Sequence, residues 1–386
     1  MRLFLIILGI HLSLLSYGQA QAPEKVSQRS RVQPVHYRLN KGKAQNQNRE
    51  SVKKESLSTS SMDEDLNFND QSTKFSQESK QVSQELEAAW FDAYQNKRNA
   101  DLNDDGKLDS KEQQELSQFV QSSQAEIAGS FTYNYLQLRV NRNKPEAINY
   151  FSQASRINPN NTLLAPEAAW LAERNGDIAS RTKAVNACRS NGTITSFQQV
   201  YAKWMIESVP EGSLIISNGE FDTYPLWEQL NAKKVTIISL AMIEDAAWLK
   251  KTLANWDSKL SYAGNSEAAL FTTISLSKKP VYLSWTVRPD ILTKYQSNLF
   301  PVGALCRFSA GEYDNVSELK KFYDKQRNAY IQSKQWQSDC YAVLAGNLLP
   351  GITLLQSNPK LNEAEKSDLE TSKGIIERFI SNASGK

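Results

Sequence analysis

Histidine is almost absent: the 386-residue chain has two, His11 and His36. His11 lies in an apolar leader and His36 in a polar tract. The folded part therefore offers no imidazole for Ser-His-Asp or Cys-His catalysis, or for a His-ligated zinc. Phosphate-cradling loops are missing too. Neither G-x-x-x-x-G-K-[ST] nor G-x-G-x-x-G occurs, so nucleotide use has no support. The three cysteines, Cys188, Cys306 and Cys340, are an odd number and too few for a disulfide framework; they read as small buried side chains. Charge of either sign is barely in excess, at +3, and no nucleic-acid motif is present, so no nucleic-acid partner is expected. No apolar run reaches the ~18 residues of a membrane span, so the mature chain is expected to have none.

What is present begins with a leader. Arg2 precedes an apolar core from Leu3 to Leu15, and Ser16-Tyr17-Gly18 or Gly18-Gln19-Ala20 supplies small residues for cleavage. That order predicts a secretory signal peptide over 1–20 and an exported protein, in the periplasm or at the cell surface or beyond it. Residues 21–80 are rich in Gln, Ser, Asn and Lys, with few apolar residues, and the mean hydropathy of the whole chain is low at -0.54. Such a stretch cannot bury enough apolar surface to offset its ordering entropy, which predicts a disordered linker. Its basic residues (Arg29, Arg31, Arg38, Lys41, Lys43, Lys53, Lys54) read as a solvated tether, the alternative being an arm that touches an acidic surface.

Helical periodicity sets in near Gln81, with Leu86, Ala89, Trp90, Ala93 and Tyr94 on one face. Leu116, Phe119 and Val120 mark a second helix. Between them runs Asp101-Leu102-Asn103-Asp104-Asp105-Gly106-Lys107-Leu108-Asp109-Ser110-Lys111-Glu112. This matches D-x-[DN]-x-[DN]-G-x5-E at every constrained position and so resembles an EF-hand calcium loop. A hard cation takes oxygen ligands at ~2.3–2.6 Å, and alternate residues can converge on one point. The expected ligands of Ca2+ are Asp101, Asn103, Asp105, Lys107 through its carbonyl, Asp109 directly or through water, and Glu112 with both oxygens. Gly106 permits the turn. Asn96, Lys97 and Asn99 are polar where an incoming helix is usually apolar, and no second loop pairs with the first. Weak binding is therefore expected, at ~10⁻⁴–10⁻³ M.

Residues 128–207 predict paired helices. Ala147, Phe151, Ala154 and Pro159 sit at the small, aromatic and closing positions of a unit that resembles a tetratricopeptide repeat. A second, degenerate unit has Gly176-Asp177 at its turn and Cys188 where the first has Ala154. Residues 208–310 alternate short β-branched runs (Leu214 to Ile216, Val235 to Ile238, Val281 to Trp285, Val302 to Phe308) with helical stretches, which predicts a parallel, Rossmann-like α/β domain. Residues 311–386 read as helical again. The expected fold class is thus mixed: a disordered N-terminal segment, an EF-hand-like hairpin over 81–127, tetratricopeptide-like helices, an α/β domain and C-terminal helices.

The loop after the expected strand Leu214 to Ile216, Ser217-Asn218-Gly219-Glu220-Phe221-Asp222-Thr223-Tyr224-Pro225, carries two carboxylates at the edge where α/β sheets bind ligands. The same residues serve as caps: Gly219 for the turn, Asp222 or Thr223 at the helix N-cap, Pro225 in the first turn. Glu244-Asp245 reads as a cap as well. The run from Leu214 to Trp227, with Val235 to Leu240, Trp248-Leu249-Lys250 and Lys279 to Ser284, resembles the soluble tail of bacterial protein O-mannosyltransferase-like membrane proteins. The resemblance implies a shared periplasmic module without transferase activity, since the membrane part is missing. No catalytic residue is assigned. The functional expectation is an exported calcium-binding protein that acts as a non-enzymatic interaction module, with a protein partner in the cell envelope. The alternative is an envelope enzyme or glycan-binding protein that uses the Glu220/Asp222 loop.

Overall fold

The computed structural model describes residues 68–101, 108, 110–230, 233–264, 266–332, 346–359 and 361–384. The expected signal peptide, and the linker up to residue 67, lie outside them. The chain is mostly helical, with one small mixed sheet. Helix α1 (Phe68–Asp101) begins earlier than the expected start at Gln81, so 68–80 is helix and not linker. Its sequence there is polar but has no Pro or Gly, and Gln, Lys and Glu sustain a helix well.

Next come α2 (Ser110–Ser122), the single turn α3 (Gln124–Ile127) and α4 (Phe131–Val140), capped by Ser130 Oγ, which accepts from the Tyr133 N–H at 3.0 Å. Two helices follow, α5 (Ala147–Ile157) and α6 (Leu164–Asn175), with Asn158-Pro159-Asn160 in the turn between them. Helix α6 ends on Gly176 at φ 74°, and α7 (Ile178–Ser190) starts on Asp177, which accepts from the Ser180 N–H. Helix α4 pairs with α5 and α6 with α7. Ala154 and Cys188 are both fully buried, as small residues at a close helix crossing should be. Helix α8 (Ser196–Glu207) carries a capping box between Thr195 and Gln198.

The sheet has the order β2-β1-β3-β5-β4. β1 (Leu214–Ser217) lies between β2 (Thr236–Ser239) and β3 (Val281–Ser284), parallel to both, with Leu214 opposite Thr236 and Val281. Helices α9 (Glu220–Gln229), α10 (Ala246–Trp256) and α11 (Glu267–Ser275) fall in the connections, where parallel strands need long crossovers. The fourth expected run behaves differently. After α12 (Pro289–Lys294) the chain forms β4 (Leu299–Pro301) and turns directly into β5 (Leu305–Phe308), which inserts antiparallel between β4 and β3. Three residues, Val302-Gly303-Ala304, can close a hairpin but not a crossover, so the sheet is mixed. Helices α13 (Val316–Gln332), α14 (Leu349–Gln356) and α15 (Glu363–Ser384) complete the described chain. The stretch expected to be helical from Tyr341 lies outside the described residues as far as 345.

Gly303 has φ 97°, and a Cβ built there would meet the Phe322 ring at 2.6 Å. Left-handed strain and overpacking act together at this turn. Gly303→Ala is therefore expected to lower the unfolding free energy by about 2 kcal/mol or more in urea denaturation.

Among the described residues two main hydrophobic cores form, with a third small cluster of Leu138, Ala147 and Leu171. The larger includes the sheet (Ile215, Ile216, Ile238, Leu283, Leu305) and the helices around it, with Trp170, Phe197, Tyr201, Trp227 and Leu249. A smaller core holds the N-terminal hairpin: Tyr94, Leu116, Val120, Tyr135 and Leu136.

Candidate functional site

The candidate calcium loop is flanked as a helix–loop–helix requires. Asp101 is the last residue of α1, and Glu112 lies in the first turn of α2. Asn103, Asp105, Lys107 and Asp109 lie outside the described residues. Leu108 packs against the small core formed by Tyr94, Leu116, Val120, Tyr135 and Leu136. The two helices are tied by Trp90 against Phe119, with ring centroids 5.1 Å apart, and by Lys97 Nζ with Glu115 Oε2 at 3.8 Å. Trp90 Nε1 also donates to Glu126 Oε2 at 3.0 Å. The polar residues before the loop have a structural place: Asn96 and Asn99 are exposed, while Phe91 and Tyr94 face the core. Ala89, expected on the buried face, is exposed. Among the described residues no group of three or more His, Cys, Asp or Glu side chains is placed to hold a metal. The donor set of the loop is all oxygen, which suits calcium or magnesium and not a soft metal.

Glu220 and Asp222 take different directions. Asp222 is buried and turns back on its own helix start: its two oxygens accept the N–H groups of Asn218 and Gly219 at 3.2 Å. Thr286, just past β3, donates its hydroxyl to the same carboxylate. Burial raises the Asp222 pKa, against these hydrogen bonds. Gly219, rather than Asp222 or Thr223, is the N-cap. Pro225 sits deeper in the helix than its first turn. Having no N–H, it leaves the Phe221 carbonyl without its helical donor, and Gln198 Nε2 on α8 fills that place at 2.9 Å. Asp245 caps α10 as expected, accepting from the Trp248 N–H at 3.0 Å, and also holds Arg174 Nε at 2.8 Å.

Glu220 instead joins a buried ionic junction. Arg139 Nη1 on α4 donates to Glu220 Oε1 at 2.8 Å and to Glu167 Oε1 on α6 at 2.7 Å. Arg142 pairs its Nε with Glu167 Oε2 at 2.8 Å, donates to Glu220, and donates to the Tyr224 hydroxyl. Its guanidinium lies 3.8 Å over the Trp170 ring, and Trp170 Nε1 donates to Asn143 Oδ1 at 3.1 Å. Glu167 is fully buried. Burial alone would raise the Glu220 pKa, but Arg139 and Arg142 hold it well below the usual carboxylate range. Burial pushes the Tyr135 and Tyr224 hydroxyls well above the ordinary tyrosine value. The junction lies between the two cores: α4 contributes Tyr135 and Leu136 to the smaller, while α6 and α9 contribute Trp170 and Trp227 to the larger.

Arg139, Arg142 and Glu167 were not singled out in the sequence. The available signal was Glu167 inside the otherwise apolar run Leu163-Leu164-Ala165-Pro166-Glu167-Ala168-Ala169-Trp170, where a charge must find a partner. Cys188 and Cys306 are buried free thiols, and burial pushes Cys188 up to about 12; Cys340 lies outside the described residues.

The Glu220 pKa is lowered on folding, so its stabilisation is present above the unfolded carboxylate value near 4.5 and is lost as pH falls below it. Stability measured from pH 7 to pH 3 should fall on that acid limb, and Glu220→Gln should flatten it. An unchanged slope in the variant would remove Glu220 from the account. Known protein families, curated proteins and solved structures were compared with the chain, and none matches.

Proposed function

We propose that this is an exported calcium-binding protein that serves the cell envelope as a non-enzymatic interaction module. The observation that carries the reading is the complete Asp101-to-Glu112 ligand pattern set between two packed helices, with Leu108 held on their shared core. In this reading Asp101, Asn103, Asp105, Lys107, Asp109 and Glu112 hold Ca2+ and neutralise one another's repulsion through it. The ion clamps the start of the fold.

The paired helices α4 to α7, read as tetratricopeptide-like, and the Rossmann-like three-strand parallel part of the sheet present the surface for an envelope protein. Exposed Ile148, Ile157 and Ile178 on α5 and α7 favour this over a closed body. The catalytic or glycan-binding alternative has less support, because Glu220 is engaged by two arginines and Asp222 by its own helix cap. Co-purification from the native envelope with and without a chelator tests the module. A partner retained only with calcium is expected, and recovery of the chain alone under both conditions would count against it.

A further inference from the structure

Three Asn-Gly pairs occur in the chain: Asn175-Gly176, Asn191-Gly192 and Asn218-Gly219. In such a pair the peptide nitrogen of the glycine can attack the side-chain amide of the asparagine, because no Cβ crowds the approach. The fold holds the three differently. Asn218 is half-buried, and Asp222 accepts both its N–H and that of Gly219 at 3.2 Å, which fixes the attacking nitrogen on a buried carboxylate. Asn175 is exposed, but it is the last helical residue of α6, and the Gly176 N–H is shared by the Ala172 and Glu173 carbonyls.

Asn191 lies just past the end of α7, and both it and Gly192 are exposed. Its Oδ1 accepts the Thr193 N–H at 3.0 Å and the Thr193 hydroxyl at 2.6 Å. A side chain that reaches the second residue along in this way folds its Cγ back over the intervening Gly192 nitrogen. The two donors on Oδ1 also draw electron density from Cγ and make it a better electrophile. The Gly192 N–H donates to the Arg189 carbonyl at 3.2 Å, in the terminal turn of a helix, where opening costs least.

We propose that Asn191 is a site of spontaneous covalent modification, converted through a cyclic imide to aspartate and isoaspartate. The Gly192 nitrogen gives up its proton to solvent and bonds to Cγ. The Cγ–Nδ2 bond then breaks, and Nδ2 leaves as ammonia with a proton from water. Water next adds to one of the two imide carbonyls: opening on one side gives aspartate, on the other isoaspartate. Nothing is oxidised or reduced, and water is the sole co-reactant. The product puts a carboxylate at the C-terminal end of α7, where the helix dipole disfavours it. It also removes the Nδ2 donor from the Thr162 carbonyl, which Asn191 reaches at 3.4 Å in the turn between α5 and α6. The site stands whether or not calcium binds.

The test incubates the full chain in mildly alkaline buffer, beside the same chain unfolded in urea. Peptide mass spectrometry, with chromatographic separation of aspartate from isoaspartate, reads each Asn-Gly pair. In urea the three pairs should convert at similar rates. In the folded chain the peptide with Asn191 should convert at least about tenfold faster than the other two, since its turn opens most readily. Gly192→Ala should slow it about tenfold or more, because a Cβ crowds the attacking nitrogen. That Cβ meets nothing within 4 Å, so the fold is kept despite the φ of 80°. Thr193→Val keeps the N–H but loses the hydroxyl, and should slow conversion by a smaller factor. Equal rates at the three pairs of the folded chain, or faster conversion at Asn175 or Asn218, would overturn the proposal. So would an intact Asn191 in the folded chain after the unfolded one has converted. A Thr193→Val rate equal to that of the wild type would overturn the part given to the hydroxyl.

Discussion

Glu167→Ala is expected to remove roughly 3–5 kcal/mol of folding stability, the range for breaking a buried pair from one side. The carboxylate is fully buried and holds Arg139 Nη1 and Arg142 Nε on its two oxygens at 2.7 and 2.8 Å. Its loss leaves two guanidiniums, themselves 15% and 10% exposed, sharing Glu220 alone. Glu167→Gln should cost less, because the amide keeps one acceptor for a guanidinium. The exposed pair of Glu363 with Lys366 supplies the contrast: Glu363→Ala should stay within about 0.5 kcal/mol. Urea denaturation of the three variants reads all of these. If Glu167→Ala behaved like Glu363→Ala, the junction would not be what fastens the two cores together. A double-mutant cycle with Arg139→Ala isolates the pair, since the two side chains touch and their effects should not add.

Calcium at about 10 mM is expected to stabilise the chain by roughly 1.4–2.7 kcal/mol, given binding in the ~10⁻⁴–10⁻³ M range of single extracellular modules. The gain follows from mass action, because the unfolded loop does not hold its ligands in place. Asp105→Ala removes a carboxylate at the centre of the pattern and should abolish the gain. Calorimetric titration should then show no calcium-dependent heat. Magnesium should be markedly weaker, since it dehydrates reluctantly and demands a tighter octahedron. A wild-type chain with no calcium-dependent heat or stabilisation at millimolar calcium would sink the calcium reading while leaving the fold intact. Because Asp101 and Glu112 sit at the facing ends of α1 and α2, the stabilisation should appear first as slower hydrogen exchange in those two helices.

The local elements were legible to different degrees. The helices after Asp177 and Asp245 begin where a side-chain oxygen can take a free N–H, a relation confined to four residues. The β-branched runs at 214, 235 and 281 became the parallel part of the sheet, with the 235 run on its edge, because such residues pack well on a pleated surface. Polarity misled at 68–80, where the residues of a solvated tether are also good helix formers. The run at 302–308 misled in another way: its composition was right for a strand, but direction depends on the length of the connection.

By itself, the sequence determined what depends on spacing along the chain. That covers the calcium-ligand pattern, the Asp245 cap, the runs that form β1, β2, β3 and β5, and the scarcity of histidine, with only His11 and His36. Only the tertiary structure decided what Glu220 and Asp222 do. A carboxylate in a loop at the edge of a sheet looks the same in sequence whether it waits for a ligand, caps a helix or neutralises a buried arginine. The deciding partners, Arg139, Arg142 and Thr286, lie 64 to 81 residues away in the chain. Ionic pairing has no period in sequence and acts over a few ångströms in space, so it becomes visible only when the helices have packed.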